Sequence, residues 1–181
     1  MVNMMIMNKK KGFILVICLL LTSVLTLLLI NEIKISNENS LLKNQQGSII
    51  QANVRYISLA VYDSKKDLSD NSISNMNRDY WKFNEFTMFD MPQIGISSYL
   101  VNIRNDFSEL IRLNETNSSQ QEINEMKTIL EKKLSRLEDS LAIIKKDCVT
   151  DNNKYFLLNS EGNITMQNGL KILLEEEIIS N

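Results

Sequence analysis

Residues 13–30 read FILVICLLLTSVLTLLLI, a run without a single charge in which only Thr22, Ser23 and Thr26 are polar. As a helix it would measure roughly 27 Å, close to the hydrocarbon thickness of a bilayer. No other stretch of the chain approaches it, so the sequence predicts one transmembrane helix over 13–30. Lys9, Lys10 and Lys11 stand directly before the run, and every acidic residue lies after it. The positive-inside rule then makes residues 1–12 a basic cytoplasmic leader and places the rest of the chain outside the cytoplasmic membrane. The flank Leu29-Ile30-Asn31-Glu32 has no small-residue cleavage pattern. The expectation is therefore an uncleaved signal anchor, with the lipid bilayer as first partner.

With 181 residues, such an anchor leaves room for one small domain. Composition narrows what that domain can do. There is no histidine, which removes imidazole acid–base chemistry, Ser-His-Asp and Cys-His nucleophile pairs and His metal sites. Cys18 and Cys148 are too far apart for a CxxC motif, and five glycines form no phosphate-cradling loop. A net charge of −2 offers no footprint for nucleic acid. The expectation is a protein that is not an enzyme, with no catalytic residue, cofactor or metal and no nucleic-acid partner.

Past the apolar run, Ile33, Ile35, Leu41, Leu42, Ile49, Ile50, Val54, Ile57 and Val61 recur near helical spacing, and the only proline is Pro92. One helix is expected to continue through an amphipathic extension, residues 31–62, and to end near Asp63-Ser64-Lys65-Lys66. Gly47 weakens it locally, by about 1 kcal/mol relative to alanine. Residues 63–79 are polar and read as a linker or surface loop. The outer domain, 80–181, opens on Tyr80, Trp81, Phe83, Phe86 and Phe89, which are assigned to its core.

Two apolar stripes predict helices over 97–113 and 120–146. The second repeats at a mean of 3.5 positions from Ile123 to Ile144. Ser119 and Glu122 form a capping box ahead of it. The short connection 114–118 favours a helical hairpin, although a coiled-coil seam fits the same stripe. Residues 154–178 are open between two readings. Strands over Lys154–Leu158, Ile164–Gln167 and Leu170–Leu174, with turns at Ser160-Glu161-Gly162-Asn163 and at Asn168-Gly169, give a β-meander. A helix over 169–179 competes with it. Cys148 reads as an inert, partly buried thiol or an intermolecular disulfide site. The expected fold class is mainly α: a transmembrane helix with a long amphipathic continuation, then a small α-rich (α+β) extracytoplasmic domain holding the hairpin and the meander.

Lys9-Lys10-Lys11-Gly12-Phe13, leading straight into an apolar helix, resembles the class III signal of type IV prepilins and pseudopilins. The resemblance covers residues 7–62. It implies cleavage by a prepilin peptidase between Gly12 and Phe13, with Phe13 as the mature N-terminus. It also implies a minor pseudopilin role in a type IV pilus or secretion-type filament, with other subunits as partners through the N-terminal helix. Most family members carry Glu at the fifth position after the cut, where this chain has Ile17. In the family that Glu is held to neutralise a neighbour's terminal amine in the apolar filament core, where an unpaired ammonium is costly. Its absence argues against a major pilin and leaves a tip-located minor one. The alternative is a signal-anchored helical interaction module.

Overall fold

The computed structural model describes the backbone over residues 2–70, 72–88, 94–158 and 163–174. Side chains are described from residue 21 onward within those ranges, Ile94 and Gly95 excepted. Every regular element of the described chain is helical: α1 (Val2–Asp67), a 3₁₀ turn (Leu68–Asp70), α2 (Ile73–Phe86), α3 (Ile94–Glu115), α4 (Gln120–Cys148), α5 (Asn152–Leu157) and α6 (Ile164–Leu174). It divides into two compact units, Met1–Leu42 and Lys43–Asn181.

The first unit is helix alone. Every residue from 21 to 42 is exposed, including Leu21, Val24, Leu25, Leu27, Leu28, Leu29 and Ile30. Among the described residues no helix is long and apolar enough to cross a membrane. The part of the apolar run with described side chains, 21–30, is half of the roughly 20 residues a span needs. Residues 13–20 lie outside the described side chains. This finding overturns the transmembrane helix expected over 13–30. The signal anchor, the cytoplasmic-membrane localisation with its inside–outside orientation, and the bilayer as a partner rested on that helix and go with it.

In the second unit, four helices alternate in direction. At the end of α1, Asp63 lies 3.7 Å from Lys82, and Asp67 pairs with Arg78, so α2 returns antiparallel. Phe83 stacks on Phe107, and Asn114 Nδ2 reaches Met76 Sδ, which turns α3 back along α2. Tyr99 Oη donates to the Lys133 carbonyl at 3.2 Å, and Lys133 pairs with Asp106 at 2.6 Å, fixing the α3–α4 hairpin. Lys65 meets Glu138 at 2.7 Å, closing α4 against α1. The result is an up-down-up-down bundle. Its continuous core draws on Ile50, Val54, Ile57 and Val61 of α1, Phe83 of α2, Leu100, Ile103 and Phe107 of α3, and Leu130, Leu134, Leu137 and Leu141 of α4.

Local signals start and stop these helices. Ser119 accepts from the Glu122 amide while the Glu122 carboxylate accepts from the Ser119 amide, completing the capping box. Ser72 caps α2 and Asp151 caps α5. The polar stretch 63–79 is not a linker: it carries the end of α1, the 3₁₀ turn and the first half of α2.

The C-terminal β-meander is also corrected, since α5 and α6 occupy its place and no strand occurs among the described residues. Asn163 Oδ1 accepts from the Met166 amide and starts α6, where a turn between strands was expected. Asn168-Gly169, read as a hairpin turn, sits inside α6. A Cβ on Gly169 would stand 3.0 Å from Ser140 Oγ, so glycine there admits close packing of α6 on α4. Of the competing helix over 169–179, residues 175–179 lie outside the described residues, as does Phe89 of the aromatic cluster.

One acid is buried in the bundle. Asp79 on α2 is 1% exposed, with Lys82 Nζ at 3.2 Å and Arg78 Nε at 3.7 Å. Burial pushes its carboxyl above the ordinary carboxylate range, with Lys82 and Ser64 opposing. A carboxyl whose folded pKa is raised supports the fold in its protonated form. That support is complete below the unfolded value of about 3.9 and is lost as pH rises through the folded value. Asp79→Asn, neutral at every pH, should therefore raise the melting temperature by a few degrees at neutral pH and leave it nearly unchanged at pH 3. Parallel thermal melts at the two pH values check this; a gain of equal size at both would remove charge as its cause.

Candidate functional site: an aromatic groove along α1

The face of α1 opposite its core stripe stays open. Ile50, Val54, Ile57 and Val61 point inward, whereas Ile49, Ala52, Tyr56, Leu59 and Tyr62 are exposed. At 100° per residue the two stripes lie on nearly opposite sides of the helix. Tyr56, Leu59 and Tyr62 are 59%, 53% and 64% exposed, far more than large apolar side chains in a finished core.

With the last turns of α4 they form a groove of about 930 Å³. Ala52, Arg55, Tyr56, Leu59 and Tyr62 make one wall, and Glu138, Ala142, Lys145 and Val149 the other; Tyr155 of α5 also lines it. Residues 48–62 give the groove a length of roughly 21 Å, about four helical turns.

Its charge is uneven. Glu138 is held by Lys65, while Arg55 and Lys145 make no ion pair among the described residues. At its end Cys148 is buried, and burial, followed by the adjacent Asp147, pushes its thiol up. Burial also pushes up the Tyr155 phenol, which donates to the Val149 carbonyl at 3.4 Å. Neither group is poised to ionise, so the groove offers apolar and aromatic surface with cationic edges rather than a nucleophile. Among the described residues no group of three or more acidic or cysteine side chains stands ready to hold a metal.

The residues singled out from the sequence lie elsewhere. Lys9, Lys10, Lys11, Gly12 and Phe13 fall within α1, and their side chains are outside the described residues. Sequence reasoning missed Tyr56, Leu59 and Tyr62 because it placed all apolar positions of 33–61 on one amphipathic face. The available signal was a pair of interleaved stripes, 50-54-57-61 and 49-52-56-59, which one face cannot hold. Compared with known protein families, curated proteins and solved structures, the chain shows no match.

Proposed function

We propose that the chain is a non-enzymatic assembly module, which takes a helix of another subunit into the groove along α1. The observation that carries this is the run of exposed Tyr56, Leu59 and Tyr62 beside α4. An open groove lined by tyrosine and leucine on consecutive turns of one helix suits helix-in-groove recognition, and tyrosine is enriched at the energetic centres of interfaces. The absence of histidine, which removes Ser-His and Cys-His nucleophile pairs, favours a binding role over catalysis. A photo-crosslinking amino acid at position 56, in the chain expressed in its native host, should yield a protein adduct, while the same group at Asn124 on exposed α4 should not. No adduct at 56, or equal adducts at both positions, would remove the groove from consideration.

A second reading is a minor pilin-like (pseudopilin) subunit of a type IV pilus or secretion-type filament. Lys9-Lys10-Lys11-Gly12-Phe13 ahead of a continuous helix favours it. The second unit, whose described elements are all helices, gives it no further support. Co-expression with a prepilin peptidase should remove residues 1–12 and leave Phe13 first. Gly12→Val should block the cut by crowding the scissile bond. Intact mass decides, and an uncut chain beside an active peptidase ends this reading.

A further inference from the structure

The sequence around Leu59 is self-complementary under reversal. Tyr56 and Tyr62 stand three positions to either side of it, and Arg55 and Asp63 four positions to either side. All five residues are exposed, and all lie in the second unit. We propose that the occupant of the groove is α1 of a second copy of this chain, antiparallel to the first and related by a two-fold axis at Leu59. This rests on the groove being a docking site and goes further by naming what docks.

A two-fold axis makes each contact occur twice. Leu59 meets Leu59 of the other copy on the axis. Tyr56 of each copy comes level with Tyr62 of the other across the seam, which gives two aromatic layers, one on either side of Leu59 along the helix. Arg55, which makes no ion pair among the described residues, faces Asp63 of the other copy, which lies 3.7 Å from Lys82 in its own chain. The four charges alternate in sign across the contact. Lys145, on the opposite wall of the groove, adds a second cation to the attraction for Asp63.

A parallel arrangement in the same phase is disfavoured by the same residues. The stripe 49-52-56-59 continues to Asp63 as its next seam position, so parallel copies would set Asp63 against Asp63. Electrostatics of this kind chooses orientation and partner more than it sets strength.

The test uses the full chain with Cys18→Ala and Cys148→Ala, so that introduced thiols report alone. Leu59→Cys should form an interchain disulfide under mild oxidation, because the two thiols meet on the axis. Ala52→Cys should not, because its two copies lie about 14 positions apart along the antiparallel pair, roughly 21 Å. Within the Leu59→Cys background, Arg55→Asp or Asp63→Arg should each cut the rate of crosslinking about tenfold. The double swap should restore it to within a factor of about three, since the pairs re-form with signs reversed. Far-UV melts confirm that each variant remains folded; because Asp63 also faces Lys82, Arg55→Asp carries the test if Asp63→Arg does not fold. Crosslinking through both Leu59→Cys and Ala52→Cys would mean a parallel pair and overturn the proposal. No crosslink at Leu59→Cys, or no effect of Arg55→Asp, would overturn it as well. The mass of the photo-adduct at position 56 separates this failure from failure of the groove. An adduct that is not twice the chain mass keeps the docking site and removes the second copy, whereas no adduct removes both.

Discussion

Leu137→Asp should unfold the bundle. Leu137 is fully buried on the α4 stripe, between Leu134 and Leu141, which are as deeply enclosed. Truncating such a leucine to alanine already costs about 2–5 kcal/mol through lost burial and the cavity left behind. A carboxylate at that position adds desolvation, and it must either find a partner in an apolar layer or take up a proton. The sum approaches the whole stability of a typical domain, about 5–15 kcal/mol. Lys132→Asp, on the exposed side of the same helix, should change stability by less than about 1 kcal/mol. Denaturant titration followed by circular dichroism reads both variants. Similar losses in the two would mean that α4 does not bury the face assigned to it.

Leu137 was legible from periodicity alone, and so were most of the buried residues of the α3–α4 hairpin, Ile96 and Leu113 excepted. There the apolar positions are uninterrupted, and each is paired with a local start signal or a short connection. Where the sequence misled, a particular residue carried two meanings. Asp79 broke the apolar stripe of α2 between Met76 and Phe83, so residues 63–79 looked like a linker. In the bundle that acid is buried beside Lys82, and the stripe passes through it. Asn168-Gly169 has strong hairpin chemistry, yet the helix wins because Gly169 lets α6 approach Ser140 on α4 and Asn163 caps its start. A dipeptide preference is local, whereas burial of Met166 and Leu173 against α4 draws on the whole element. The groove was hidden for a related reason. Hydrophobic periodicity reports that a face is apolar, but not whether the chain itself covers it, and only the position of α4 leaves Tyr56 and Leu59 open.

Gly47 presents the same ambiguity and leads to an expected result with an unusual sign. Within α1, far from either end, replacing glycine by alanine should favour the helix by about 1 kcal/mol. The surroundings reverse this. A Cβ at position 47 would lie 1.8 Å from the Asn152 carbonyl oxygen and 2.6 Å from its carbon, both backbone atoms that no rotamer change can move. The close approach is reinforced by Asn152 Nδ2 donating to Asn44 Oδ1 at 2.8 Å, one turn before Gly47. Gly47→Ala must therefore push the start of α5 away from α1, disturbing the Asp151 cap and the buried Tyr155 and Leu158 that follow it. The expected net loss is about 3 kcal/mol, at the upper end of overpacking in a core. It should be local as well as global: amide exchange over residues 152–158 should rise more than over α3 and α4, because α5 is short and rests on this contact. Hydrogen exchange by mass spectrometry, with a denaturant titration of the same sample, measures both effects. If Gly47→Ala raises stability instead, helix propensity governs this position, and α5 does not meet α1 at Gly47.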